Sequence, residues 1–337
     1  MTLSFPPLQE RSNVTRETLR AEIVPAYRPV VLRGFAADWP VVGAGREGGA
    51  AVAAYLKGFD NGAPVEAYVG PPEIGGRFFY SDAERAVNFE RRPGGISAIL
   101  DDILALGAQA RPPSVYVGSA PTPQVLPGFA EANSHDLLAV PVDPRIWFGN
   151  AVRVQTHYDM ADNIAVVVAG RRRFTLFPPE QTANLYVGPL DFTLAGQPIS
   201  MVRLEAPDHD RYPRFAEAAK HGLTAELEPG DAIYIPSPWW HHVEALSPVN
   251  LLVNYWWRDY PTACGTPFNW LVHGLLAVRH LPPAERTAWR AMIDHYIFED
   301  NGDPAAHIPP AARSVLGPMT PDLAAHLRAW LGRQFKE

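Results

Sequence analysis

The segment Thr156-His157-Tyr158-Asp159 sets a histidine and a carboxylate two residues apart. On a strand, residues i and i+2 point to the same face, so both side chains can converge on one metal ion. A second source of ligands is Trp239-Trp240-His241-His242, which follows a Gly230-Asp231 turn and the apolar stretch from Ala232 to Ile235. Two histidines and one carboxylate on one face leave coordination positions open, the facial arrangement of non-haem Fe(II) oxygenases. The tripeptide alone carries little weight, since an ordinary strand with a hydrogen-bonded histidine has the same pattern. Nor do the residues alone separate His241 from His242, because neighbours on a strand face opposite ways. Further along, Arg171-Arg172-Arg173 concentrates cationic forks that suit a carboxylate. Ile164, Val166, Val168, Arg172, Phe174 and Leu176 are all even-numbered. If the turn at Gly170 preserves alternation, Arg172 shares their inward apolar face, and Arg171, Arg173 and Thr175 face out.

These groups need a rigid frame, and the sequence from about Ser114 to Asp259 supplies strands. Ser114 to Val117, Arg145 to Phe148, Asn163 to Ala169, Arg172 to Phe177, Ala232 to Ile235 and Leu251 to Trp257 are short and rich in β-branched and aromatic residues. Gly, Pro and Asp punctuate them, and many short strands at this spacing predict a barrel or sandwich. Before them come a helix from Thr15 to Tyr27, a strand at Pro29 to Gly34, and helices at Gly48 to Gly58 and Ile96 to Leu106. After them the chain turns helical. Leu271, Leu275 and Val278 share one face, Pro282-Pro283 opens a second helix, and a third begins near Pro321.

Composition narrows the function classes. A chain of 337 residues with 47% hydrophobic and 19% charged content is ordinary globular material. The net charge of −7 provides no global positive field for nucleic acid. Cys264 is the only cysteine, so no internal disulfide forms. The start of the chain has no apolar stretch fit to be a signal peptide, and the longest apolar run, Ile164 to Gly170, is far short of the ~20 residues that span a bilayer. A cytoplasmic protein without a membrane segment is expected.

Several stretches together resemble the cupin-like branch of the JmjC hydroxylases, a branch typified by an asparaginyl hydroxylase. They are Tyr80-Ser81-Asp82 with Asn88-Phe89, Val115-Tyr116, His157-Tyr158-Asp159 with Asn163, and Gly170 to Arg173 running into Leu176-Phe177-Pro178-Pro179. Gly230-Asp231 with Tyr234-Ile235-Pro236, Trp239-Trp240-His241-His242 and Asn254-Tyr255-Trp256 complete the set. Order and spacing hold from about residue 25 to 258. The resemblance implies a mainly β fold, a double-stranded β-helix (cupin jelly roll), with an N-terminal α/β cap and a C-terminal helical region. It implies one domain over residues 1–262 and a helical, dimer-forming region over 263–337. Fe(II) would be held by His157, Asp159 and His241, with His242 a packed neighbour. The co-substrate 2-oxoglutarate would be anchored by Arg172, where the family usually has lysine, and by Tyr116. Asn163 and Asn254 match polar positions near metal and co-substrate, and Tyr80, Asp82 and Trp256 match substrate contacts. Two departures stand out. A co-substrate-holding threonine of the family falls at Val154, with Thr156 facing the wrong way, and the pair that grips asparagine falls at Pro198 and Ile199.

The resulting expectation is an Fe(II)- and 2-oxoglutarate-dependent dioxygenase that hydroxylates a polypeptide or small polar substrate and releases succinate and CO₂. A non-oxidative metal-binding cupin or regulatory module is one rival. An RNA-modifying hydroxylase is another, against which the negative charge counts. The large apolar residues of the terminal helices, together with the resemblance, predict a homodimer.

Overall fold

A computed structural model of the chain describes residues 3–81, 85–139, 141–260 and 264–335. The chain divides after Trp257 into two units. The strands of the first are β1 (Gln9–Ser12), β2 (Val30–Arg33), β3 (Pro64–Gly70), β4 (Glu90–Gly95), β5 (Ser114–Pro121), β6 (Arg145–Gly149) and β7 (Arg153–Tyr158). They continue with β8 (Asp162–Ala169), β9 (Arg172–Phe177), β10 (Leu223–Leu227), β11 (Ala232–Ile235), β12 (Trp240–Ala245) and β13 (Asn250–Trp257). One nine-stranded sheet runs β1-β2-β11-β8-β13-β6-β5-β3-β4, and a four-stranded sheet runs β10-β9-β12-β7. Val31, Ala165, Val167, Ile233 and Leu252 of the large sheet pack on Phe174, Leu176, Leu227 and Val243 of the small one. This mostly β, two-sheet arrangement is the cupin-type jelly roll.

The other face of the large sheet is covered by helices Pro40–Glu47, Gly49–Lys57 and Ile96–Leu106, through Val41, Val42, Leu56, Ile96 and Leu100. Ile164, Val166 and Val168 belong to that outer core, whereas Ala165 and Val167 face the barrel interior. Strand β8 is therefore buried on both sides, which explains its unbroken apolar run. The same observation corrects the alternation argument. Parity is not preserved through Gly170: odd residues of β8 and even residues of β9 look inward. Arg172 does share a face with Phe174 and Leu176, but not with Ile164 or Val166. The two strands lie in different sheets, and the chain changes layer at the corner formed by Gly170, with φ +70°, and Arg171.

Helix Pro40–Glu47 is not among the helices expected from the sequence, since Gly43 and Gly45 lower its helix propensity. Gly45 is there for contact. A Cβ at that position would lie 2.0 Å from the Val168 carbonyl oxygen, so only glycine lets this helix seat on β8.

The second unit contains helices Pro267–Ala277, Pro283–Tyr296 and Pro321–Gln334. Thr266 and Thr320 cap the first and last by accepting from Phe268 N and Leu323 N. Trp270, Leu276, Met292, Ile297, Phe298 and Trp330 remain exposed on it. Among the described residues no helix is long and apolar enough to cross a membrane.

Candidate metal centre and co-substrate pocket

Strands β7 and β12 pair antiparallel with His157 directly opposite His241. Directly opposed residues point to the same face. The imidazole centroids are 4.2 Å apart. Asp159 lies just past the end of β7, where Ser237 Oγ donates to its carbonyl oxygen at 2.9 Å. One ligand atom from each of His157, Asp159 and His241 falls within 4.8 Å of the others. A register shift between His241 and Val243 leaves a bulge beside this cluster, a device that re-aims side chains.

The pairing also separates the two adjacent histidines. His242 is fully buried on the opposite face, with Nδ1 3.4 Å from Thr156 Oγ1. It stands away from the cluster, and so does Thr156.

Both cluster histidines are oriented by backbone. His157 Nδ1 donates to the Gln155 carbonyl at 2.8 Å and His241 Nδ1 to the Trp239 carbonyl at 3.1 Å. Each Nε2 then carries a lone pair directed at the cluster, the tautomer a metal requires. Burial, reinforced by the neighbouring His157, pushes His241 down to about 4, so its imidazole is neutral and ready to ligate. Asp159 Oδ2 accepts from Trp256 Nε1 at 3.0 Å and from Asn163 Nδ2 at 3.1 Å. Asn163 Oδ1 accepts from Asn254 Nδ2 at 3.1 Å, and Asn254 Oδ1 from Trp147 Nε1 at 2.6 Å. Donors from β6, β13 and β8 thus form one chain ending on the carboxylate. The two donors that reach Asp159 hold its carboxylate in place beside the histidines.

From the cluster a narrow pocket runs into the barrel, between Phe174, Ile235, Val243 and Leu252, to Arg172. Arg172 is 3% exposed, and its Nε and Nη2 have no hydrogen-bond partner among the described residues. Burial pulls its pKa down. The Tyr116 hydroxyl faces the guanidinium, and burial pushes that hydroxyl up to about 12. Arg171 and Arg173 instead point outward to Glu226, at 3.6 and 2.6 Å. A cavity with a ligand cluster at one end and an unmatched guanidinium at the other has the donor set for a metal plus a chelating dicarboxylate.

Residues 16–263 match the family described as the cupin-like domain. The chain belongs to the cupin-like domain family. That JmjC-related family includes 2-oxoglutarate-dependent oxygenases. The chain is 34% identical over 113 residues to HSPB1-associated protein 1 of Homo sapiens, a match covering 33% of this chain and 22% of that protein. It is 34% identical over 113 residues to tRNA wybutosine-synthesizing protein 5 of Mus musculus, covering 34% of this chain and 33% of that one. A lysine-specific demethylase of Arabidopsis thaliana is 35% identical over 114 residues, covering 34% of this chain and 20% of its own length. The matches thus span a third or less of these relatives.

Outside the metal cluster, the cupin-like barrel opens into a second cavity of about 220 Å³. Trp256 and Val154 line both pockets, so Val154 stands beside the cluster at the position where the resembling family carries threonine. Tyr80 is not on the cavity wall; its hydroxyl donates to the Phe192 carbonyl at 2.7 Å and its ring packs on Phe192. Asp82 lies outside the described residues. Of the expected asparagine-gripping positions, Ile199 lines the cavity and forms a β-bridge to His157. Gln197, two residues earlier, also lines it. Nothing in the sequence singles out Trp147, Gln155 or Gln197. They act through a backbone carbonyl, a cross-strand contact or a loop position, none of which leaves a local motif.

Proposed function

We propose that this chain is an Fe(II)- and 2-oxoglutarate-dependent oxygenase, with His157, Asp159 and His241 holding the iron and Arg172 with Tyr116 anchoring the distal carboxylate of 2-oxoglutarate. The observation that carries the reading is the guanidinium of Arg172. Tyr116 hydrogen-bonds this buried cation, but Nε and Nη2 stay unpartnered and no carboxylate among the described residues pairs with it. A carboxylate arriving from the metal end supplies the missing counter-charge as a two-pronged charge-assisted pair. Bound Fe(II) and 2-oxoglutarate supply the oxidation, coupling reduction of dioxygen to hydroxylation of a substrate C–H bond with release of succinate and CO₂.

The protein's own residues do the positioning. The two Nε2 atoms and the Asp159 carboxylate would together hold the ion, a ligand set that leaves positions open for co-substrate and dioxygen. Trp256 and Asn163 keep the carboxylate from rotating away. Phe174, Ile235 and Leu252 keep water from the Arg172 end, which strengthens every charge interaction there. Asn163 and Asn254 act on this reading through Asp159, and Trp256 both orients Asp159 and walls the substrate side. The C-terminal helices pair two chains into a homodimer.

An RNA substrate is the second reading, favoured by the similarity to the tRNA wybutosine-synthesizing protein. Titration with labelled tRNA at about 150 mM salt decides between them, since phosphate contacts dominate RNA affinity and survive at that screening only as a built groove. For the oxygenase reading, purified chain with Fe(II), 2-oxoglutarate and dioxygen should form succinate, and Arg172→Ala should lose this at low 2-oxoglutarate. Absence of iron-dependent succinate in the folded wild type overturns it.

A further inference from the structure

The cavity outside the metal cluster has a wall almost free of uncommitted charge. Tyr68, Phe78, Phe89, Leu194, Ile199 and Trp256 form much of it. Phe78, Phe89, Leu194 and Ile199 are buried in one cluster, so the wall is fixed by packing. The charged residues on it are Arg153 and Asp159. Both are engaged. Arg153 Nε lies 3.2 Å from Glu205 and 3.6 Å from Glu244, and its Nη1 donates to the Gly75 carbonyl. Asp159 accepts from Trp256 and Asn163 and belongs to the metal cluster.

A methylammonium group would need an aromatic face, and two of the six rings that line the cavity are already faced by cations. Arg91 stands over Tyr68 at 5.3 Å and Arg145 over Trp256 at 5.8 Å. The Gln197 carboxamide, by contrast, has no hydrogen-bond partner among the described residues. At about 220 Å³ the space is smaller than the roughly 300–1,000 Å³ of drug-sized sites, so it takes one side chain and not an extended ligand.

We infer that the substrate group entering this cavity is uncharged and mainly apolar, an aliphatic or aromatic side chain about the size of leucine or phenylalanine, with one hydrogen bond available from Gln197. An ammonium or carboxylate would give up its water here and find no free counter-charge, only the one hydrogen bond from Gln197, to replace it. The inference rests on the oxygenase reading for placing the oxidised C–H bond at the metal, while the chemistry of the wall stands by itself.

The test is calorimetric binding to the full chain loaded with Mn(II) and 2-oxoglutarate. The probes are the N-acetyl amides of leucine, phenylalanine, trimethyl-lysine and aspartate, and nonapeptides carrying the same side chains between glycines. Leucine and phenylalanine should bind at least about tenfold more tightly than the two charged side chains. Gln197 is partly exposed, so Gln197→Glu keeps the fold and adds a negative charge to the wall. It should narrow the leucine-to-trimethyl-lysine ratio by at least about tenfold. Tighter binding of the nonapeptide than of the amide assigns the group to a polypeptide, and equal binding to a small molecule. Charged probes binding as well as leucine, an unchanged ratio in Gln197→Glu, or no binding of any probe at about 10 mM each overturn the inference. Iron-dependent succinate formation is scored separately. A chain that forms none yet keeps the apolar preference defeats the oxygenase reading alone, and succinate formation with a charged-probe preference defeats this inference alone.

Discussion

Replacing Arg172 with methionine should do two opposite things at once. The guanidinium is 3% exposed, and Nε and Nη2 are unpartnered among the described residues. Its neighbours Phe174, Leu252 and Val243 are apolar. Exchanging such a charge for a hydrophobe of similar volume is neutral or stabilising by about 1–4 kcal/mol when the surroundings repack. Without 2-oxoglutarate, Arg172→Met should therefore melt no lower than wild type and up to several degrees higher, at about 2–4 °C per kcal/mol for a unit of this size. The same change removes the partner of the distal carboxylate. A charge-assisted pair in a closed site contributes about 2–4 kcal/mol, so the KM for 2-oxoglutarate should rise about 30- to 1,000-fold. Arg171→Ala and Arg173→Ala are the controls. Their partner Glu226 is a surface residue, and each should cost under about 1 kcal/mol and leave KM within about twofold. Differential scanning fluorimetry without 2-oxoglutarate and succinate formation across a 2-oxoglutarate titration read the two effects. A destabilised Arg172→Met with unchanged KM would refute the reasoning, since the guanidinium would then be a structural cation satisfied by the fold.

Trp256→Phe keeps an aromatic ring at the position but removes the indole N–H donated to Asp159, and should weaken Fe(II) binding by about 10- to 100-fold in a metal titration. Burial holds the His135 imidazole, packed 4.4 Å from Tyr255, down at about 4. Its folded pKa is therefore depressed. Above about pH 6.5 folded and unfolded states are both neutral and it has no effect on stability. Below that the unfolded chain takes a proton the folded one refuses, and stability falls by at most about 1.4 kcal/mol per pH unit until about pH 4. Urea midpoints between pH 7 and 5 should fall less steeply in His135→Gln, and an equal slope would assign the loss to other groups. The exposed Trp270, Leu276, Ile297, Phe298 and Trp330 should hold two chains together, so light scattering at micromolar concentration should return the dimer mass; a monomer mass removes the assembly proposal.

The candidate metal-binding cluster of His157, Asp159 and His241 was legible because its geometry is local. His157 and Asp159 are two residues apart, and the block containing His241 is distinctive. Which of His241 and His242 joins them was not, because register is a property of the pairing: His241 lies opposite His157, and His242 turns toward Thr156. Arg172 illustrates a sound placement reached through a false step. The alternation of β9 holds, but the chain changes sheets at Gly170, so the even positions of β8 serve a different core. Asn163 and Asn254 are placed near the metal by resemblance, but their linkage with Trp147 into one donor chain has no sequence signature, because it crosses β6, β13 and β8, whose adjacency comes from sheet order and not from nearness in the chain. Trp256, expected on the substrate side, also turned out to hold Asp159, a link that needs the pairing of Trp256 with Asn163 across β13 and β8.

The central claim is that His157, Asp159 and His241 hold one Fe(II) that turns over 2-oxoglutarate. Iron content per folded chain, measured together with succinate formation, tests it most directly across wild type and the variants His157→Ala, Asp159→Ala, His241→Ala and His242→Ala. The account predicts about one Fe(II) per chain and iron-dependent succinate in wild type. It predicts loss of both in the first three variants and retention of iron in His242→Ala. Full turnover in His157→Ala or Asp159→Ala, or iron lost with His242 but kept without His241, would contradict it.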